Sequence, residues 1–133
     1  MNKLIVLLLI FLGGGFGACA RWLLATAINT NATHAPQGFP WGTLGVNLLG
    51  CLLIGLLAGF FERTNTATEW SLFFITGVLG GFTTFSSFGL EAMRMVRGNQ
   101  ISLALAYVLA SNILGISLVA AGYALSHSTR LRF

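Results

Sequence analysis

Four long apolar stretches dominate the chain, at residues 4–28, 41–61, about 71–96 and about 102–125. Each is long enough to cross the ~30 Å hydrocarbon core of a bilayer, which needs about 20 apolar residues. A span in lipid must satisfy its own backbone hydrogen bonds, so the pattern predicts four transmembrane α-helices. The runs are continuous rather than alternating, which argues against a β-barrel. Residues 29–40 are polar and carry Pro36, Gly38 and Pro40, so they are expected to form a loop. Residues 62–70 and 97–101 read as short connections. Trp22, Trp41 and Trp70 lie near span ends, where indole rings favour the membrane interface. The reading is one four-span, all-α membrane domain over residues 1–133.

The first stretch has a rival reading. Lys3, the apolar residues after it and the small run Ala18-Cys19-Ala20 have the outline of a signal peptide. The apolar stretch continues past Arg21 through Trp22, Leu23, Leu24 and Ala25, so it is read as the first span.

Composition narrows the class. Of 133 residues, 56% are hydrophobic and 8% charged, and there is no Asp. So few charges could hardly cover a soluble domain of this size. An ordinary cytosolic enzyme, a disordered chain and a nucleic-acid module are excluded on that ground. Four spans consume most of the chain and can hardly enclose a pathway alone.

Charge then bears on topology. Four spans put both termini and the 62–70 connection on one side. That side carries Lys3, Arg63, Arg130 and Arg132, and the other carries Arg94 and Arg97, with Arg21 near the end of span one. Orientation follows the Lys/Arg excess, and here the excess nearly vanishes. Two readings stay open: insertion in both orientations with assembly as an antiparallel dimer, or one weakly biased topology.

Little conventional chemistry is visible. Cys19 and Cys51 sit inside spans and read as buried thiols acting as small hydrophobes. His34 and His127 lack neighbours that suggest a metal site, and no catalytic motif appears. Fifteen of the 17 glycines fall within the spans, with GxxxG spacing at Gly13/Gly17, Gly55/Gly59 and Gly77/Gly81. Such pairs let helix backbones approach closely.

The polar residues within the spans say more. Arg21, Asn47, Thr83, Thr84, Ser86, Ser87, Glu91, Ser111 and Asn112 stand where polar groups are costly. A Ser or Thr there can bond back to its own helix, but an Asn amide cannot satisfy all its groups that way. Thr43, Asn47 and Gly50 share one face of span two. Span three holds the densest run, Gly77-Val-Leu-Gly-Gly-Phe-Thr-Thr-Phe-Ser-Ser-Phe88. Adjacent glycines and threonines at mid-span predict a break at residues 80–84. A break frees carbonyls and N–H groups, a common way to build an ion site. A kinked, well-packed helix is the plainer alternative. After the break, Phe82, Phe85, Phe88 and Glu91 recur every three residues.

Three motifs in order make the chain resemble the Fluc family of small bacterial fluoride channels, also called CrcB-like proteins. They are Gly14-Gly-Phe-Gly-Ala-Cys-Ala-Arg21-Trp, Gly42-Thr-Leu-Gly-Val-Asn47-Leu-Leu-Gly50, and Gly80-Gly-Phe-Thr-Thr-Phe-Ser-Ser-Phe88 followed by Glu91. The resemblance covers essentially the whole chain. It implies an antiparallel dual-topology homodimer in the bacterial inner membrane, with span three broken at mid-membrane. Two fluoride pores would run along the subunit interface and export cytoplasmic fluoride passively, conferring fluoride resistance. Family pore residues fall on Phe85 and Phe88, on Asn47 with Thr43 one turn before it, and on the hydroxyls of Ser86 and Ser87. The family usually has Thr at position 87, so this chain departs there while keeping a hydroxyl. Tyr107 and Ser111 match pore-flanking residues of span four. Arg21 and Glu91 match the family's basic and acidic span residues, with a vestibule or anchoring role. A structural sodium ion is implied at the dimer centre, held by the backbone carbonyls of Gly80 and Thr83. No enzyme activity is expected.

Physical chemistry agrees with those assignments. Fluoride is strongly hydrated, and amide and hydroxyl donors can replace its water. Phenyl rings offer positive edges without fixed charge. The lack of a deep basic ring suits passage, which needs binding weak enough to release. A small dual-topology multidrug-type exporter shares the size and span count. Such exporters use an acidic residue in span one, and residues 4–28 contain none. A non-transporting assembly protein would leave Asn47 and the residue 83–88 run unexplained.

Overall fold

The computed structural model describes residues 2–31, 39–64 and 68–128. His34, Arg130, Arg132, most of the expected 29–40 loop and part of the 62–70 connection lie outside the described residues. Among the described residues all regular secondary structure is helical.

Helix α1 spans Lys3–Asn31, helix α2 spans Trp41–Thr64 and the last helix spans Ile101–Ser128. The third span is divided. Its first part, α3, covers residues 68–82 and includes a π-helical stretch, Leu72–Leu79. Its second part, α4, is Phe85–Arg97, which leaves Ile101–Ser128 as α5. Four segments are long and apolar enough to cross a membrane, the third being α3 and α4 together. Trp41 and Trp70 stand at helix starts. Trp22 lies well inside α1, about 13 Å of helical rise before its end at Asn31.

Helix ends are held by side chains. The Leu4 N–H donates to Asn2 Oδ1 at 3.0 Å and so caps α1. Asn29, near the end of α1, accepts from the Gly42 N–H at 2.9 Å and caps α2 from a neighbouring helix. After α4 the chain turns through Asn99, which adopts φ 59°, and Gln100 N–H donates to the Met95 carbonyl at 2.9 Å.

The GxxxG glycines become two seams. In the first, Gly13 and Gly17 of α1 face the third span, and a Cβ at Gly17 would strike the Val78 carbonyl. A Cβ at Gly81 would strike the Gly14 carbonyl from the other side. In the second seam, Gly55 meets the Val119 backbone and Gly122 meets the Leu52 backbone. Along this seam Cys51 lies against Gly115, Gly55 against Val119 and Gly59 against Ser126, so residue numbers rise together and α2 and α5 run parallel. Close backbone approach replaces the hydrophobic driving force that lipid cannot supply.

Two small apolar clusters fill the remaining space. One joins Leu44, Phe88, Met95, Ala104 and Tyr107, and the other joins Val46, Leu79 and Phe82. Tyr107 and Val46 are fully buried. Cys19 lies exposed on the outer face of α1 and Cys51 is half-buried, so only Cys51 approaches the buried thiol expected from sequence.

Candidate functional site

The break falls at Thr83 and Thr84. Both leave helical geometry for extended backbone, with φ −85° and ψ 159° at Thr83 and φ −148° and ψ 120° at Thr84. Extended backbone inside a membrane needs outside partners. Asn47 of α2 supplies them. Its Oδ1 accepts from the Thr84 N–H at 2.8 Å, and its Nδ2 donates to the Thr84 carbonyl at 3.0 Å. The side-chain amide thus pairs with Thr84 as a neighbouring peptide would. Gly50, one turn on, lets Thr83 approach, since a Cβ there would strike Thr83 Cγ2.

Thr84 is also the hub of the hydroxyls. Its Oγ1 accepts from the Ser87 N–H at 3.2 Å and so caps α4. The same oxygen donates to Ser87 Oγ at 3.1 Å and lies 3.3 Å from Ser86 Oγ. Thr83 instead bonds back to the Leu79 carbonyl at 3.0 Å.

The break also frees acceptors. Continuous helix would pair the Gly80 carbonyl with the Thr84 N–H and the Thr83 carbonyl with the Ser87 N–H. Both N–H groups are bound elsewhere, to Asn47 and to Thr84 Oγ1. Two neutral oxygens therefore lack their helical donors. That is the donor chemistry an alkali cation takes from unwound backbone, so Gly80 and Thr83 fit the sodium that the resemblance implies.

One turn further along α4 is a carboxylate between three helices. Glu91 Oε1 accepts from Thr43 Oγ1 of α2 at 2.7 Å, and its Oε2 accepts from the Tyr107 hydroxyl of α5 at 3.0 Å. Both oxygens are thus held by neutral hydroxyls. Their sequence separations of 48 and 16 residues hide this trio from any local pattern.

The phenylalanines divide at the break. Phe82, before it, is buried against Val46 and Leu79. Phe85, after it, is 82% exposed in the single chain, and Phe88 is buried. Phe85 and Phe88 lie 5.5 Å apart between ring centres, and Phe88 lies 5.1 Å from Tyr107. The every-third-residue stripe expected from sequence therefore starts at Phe85, because the extended residues reset the helical phase.

A cavity of about 330 Å³ opens at the break. Its wall includes Asn47, Cys51, Thr84, Phe85, Phe88 and Ser111. Ser111 Oγ is buried and has no hydrogen-bond partner among the described residues, so a polar atom stands at the cavity without its due. Asn112 also reaches the wall but donates to its own helix, to the Val108 carbonyl at 2.8 Å. Arg21 stays apart. It is half-buried on α1, does not line the cavity, and has no hydrogen-bond or ion-pair partner among the described residues.

The profile of a family described as CrcB-like protein, Camphor Resistance (CrcB), matches residues 8–123. The chain belongs to the CrcB-like family. It is similar to a protein named fluoride-specific ion channel FluC from Bacteroides fragilis, 42% identical over 85% of this chain and 89% of the relative. A FluC of Agrobacterium fabrum is 43% identical over 90% of this chain and 94% of its own length. A third, from Helicobacter acinonychis, is 40% identical over 86% and 90% respectively. With four membrane-crossing helices, this CrcB-like chain is a multi-pass protein of the bacterial inner membrane and not an enzyme.

Of the residues named from sequence, Asn47, Phe85, Phe88 and Ser111 line the cavity, while Thr43, Glu91 and Tyr107 bond to one another outside its wall. Sequence reasoning gave no role to Thr84, the hub of the hydroxyl contacts. Its place beside Thr83 in the break-forming run was the available signal. Cys51 was also missed as part of the wall, although it stands one turn after Asn47.

Proposed function

We propose that the chain is a passive, fluoride-selective channel that lets fluoride leave the cell. The observation that carries this reading is the cavity wall at the break: a Ser111 hydroxyl and one Asn47 amide N–H, both without a partner among the described residues, and the rings of Phe85 and Phe88. Each can replace some of the water a fluoride ion sheds, and none carries a fixed full charge. Chains named as fluoride-specific channels at about 40% identity support the choice of anion.

Exposure of Phe85 supports assembly as an antiparallel homodimer with two pores. A single copy leaves this ring uncovered beside an open wall, and a second, inverted copy would complete the path. The near-even Lys/Arg count permits both orientations. Crossing the two breaks at the two-fold axis would gather the Gly80 and Thr83 carbonyls of each copy. A sodium ion there would neutralise that cluster and tie the copies together.

Direction follows from the gradient. Hydrogen fluoride enters as a neutral acid and dissociates inside, and the trapped anion then runs outward with the membrane potential. A fluoride-sensitive bacterial host expressing this chain should grow at fluoride levels that arrest the empty host. Arrest at the same level, with the protein present in the membrane, would overturn the proposal.

A further inference from the structure

We infer that Phe39 and Trp41 form the outer mouth of the anion path and help strip water from the entering or leaving ion. The inference rests on the fluoride reading above. It comes from an aromatic series that does not stop at the rings facing the cavity.

From Phe85 and Phe88, which line the cavity, the series runs through the fully buried Tyr107 to Phe39. Phe39 meets Tyr107 in a T-shape, 5.4 Å between centres at 77°. Trp41 follows, 4.3 Å from Phe39. All five rings are thus in contact from the break to the first residue of α2. The end of the series is fixed. Tyr107 is fully buried and its hydroxyl is held by Glu91, while the Trp41 backbone N–H donates to the Phe39 carbonyl at 3.0 Å.

The chemistry of this end suits an anion. Trp41 is 37% exposed and its indole N–H has no acceptor among the described residues. An indole nitrogen can only donate. Ring edges carry the positive end of the aromatic quadrupole. The last turn of α4 points to the same end of the bundle and carries Arg94 and Arg97, both exposed and unpaired among the described residues. Two free guanidiniums raise the local anion concentration without binding the ion inside the path. The mouth thus orders its contacts from charge, to an N–H donor, to ring edges, to the uncharged donors of the cavity. A plain interfacial anchor would explain Trp41 by its position alone. It would not require Phe39 to be wedged edge-on against Tyr107.

The test uses full-length protein in proteoliposomes, with initial fluoride efflux as the readout. Phe39→Leu should slow efflux about tenfold, and Trp41→Phe, which keeps a ring but removes the N–H, about threefold. Trp70→Phe, at the other end of the bundle, should match wild type. A second readout is the intrinsic tryptophan fluorescence of purified protein titrated with sodium fluoride and, separately, sodium chloride. Fluoride alone should change the wild-type signal, and Trp41→Phe should abolish that change. This readout decides the matter should Phe39→Leu fail to assemble. Wild-type rates in both mouth variants, or a fluorescence change that survives Trp41→Phe, overturn the inference while leaving the channel reading intact. A wild-type protein that passes no fluoride overturns the channel reading itself.

Discussion

Replacing Asn47 with Leu removes both hydrogen bonds that hold the extended Thr84 backbone. Leucine is close in volume, so the change is chiefly one of polarity. The Thr84 N–H and carbonyl would then lack their protein partners at a residue only 8% exposed. Leaving a buried donor or acceptor unsatisfied costs about 1–3 kcal/mol per group, so the break would lose about 2–6 kcal/mol of support. Asn47→Asp makes a graded comparison. A carboxylate still accepts from the Thr84 N–H but cannot donate to its carbonyl. Amide hydrogen exchange at Thr84, measured in detergent, reads the difference directly. At ~1.4 kcal/mol per decade, Asn47→Leu should speed exchange by at least tenfold, with Asn47→Asp between it and wild type. Equal exchange in all three proteins would refute the claim that Asn47 braces the break.

Other predictions follow from the packing and the cavity. Gly17→Ala places a Cβ against the Val78 carbonyl and should cost about 1–3 kcal/mol of stability, while Gly15→Ala, with open space around it, should leave the melting temperature unchanged. Similar melting curves for the two would count against the glycine seam. Ser111→Ala removes a hydroxyl that no group among the described residues satisfies, so stability should hold or rise slightly while fluoride efflux falls. A fall in stability with unchanged efflux would reverse the assignment. Exchanging sodium for a much larger cation should reduce both efflux and the dimer fraction, and unchanged values of both would remove the structural ion from the account.

The spans were readable because lipid imposes one rule along the chain: apolar side chains on a self-bonded backbone. The helices run a little further, as at Glu62, Arg63 and Thr64, because polar residues can continue helical hydrogen bonding into the interface. The break was also readable, since glycines and adjacent threonines weaken a helix locally. The π-helical winding at residues 72–79 was not, because no side-chain period marks it. Asn47 was readable as a polar residue that its own helix could not satisfy. Its work on Thr84 was not, because that contact joins residues 37 apart. The same holds for Glu91, whose two partners lie on two other helices. Arg21 was legible as costly but stays apart from the cavity wall in the single chain.

Selective passage of fluoride is the central claim, and proteoliposomes test it most directly. Purified full-length protein is reconstituted into vesicles loaded with potassium fluoride or potassium chloride. Valinomycin is added, and each anion is followed with its own electrode. The account predicts rapid fluoride release that saturates the electrode signal and chloride release no faster than from protein-free vesicles. Equal release of the two anions, or no fluoride release from vesicles shown to contain folded protein, would contradict it.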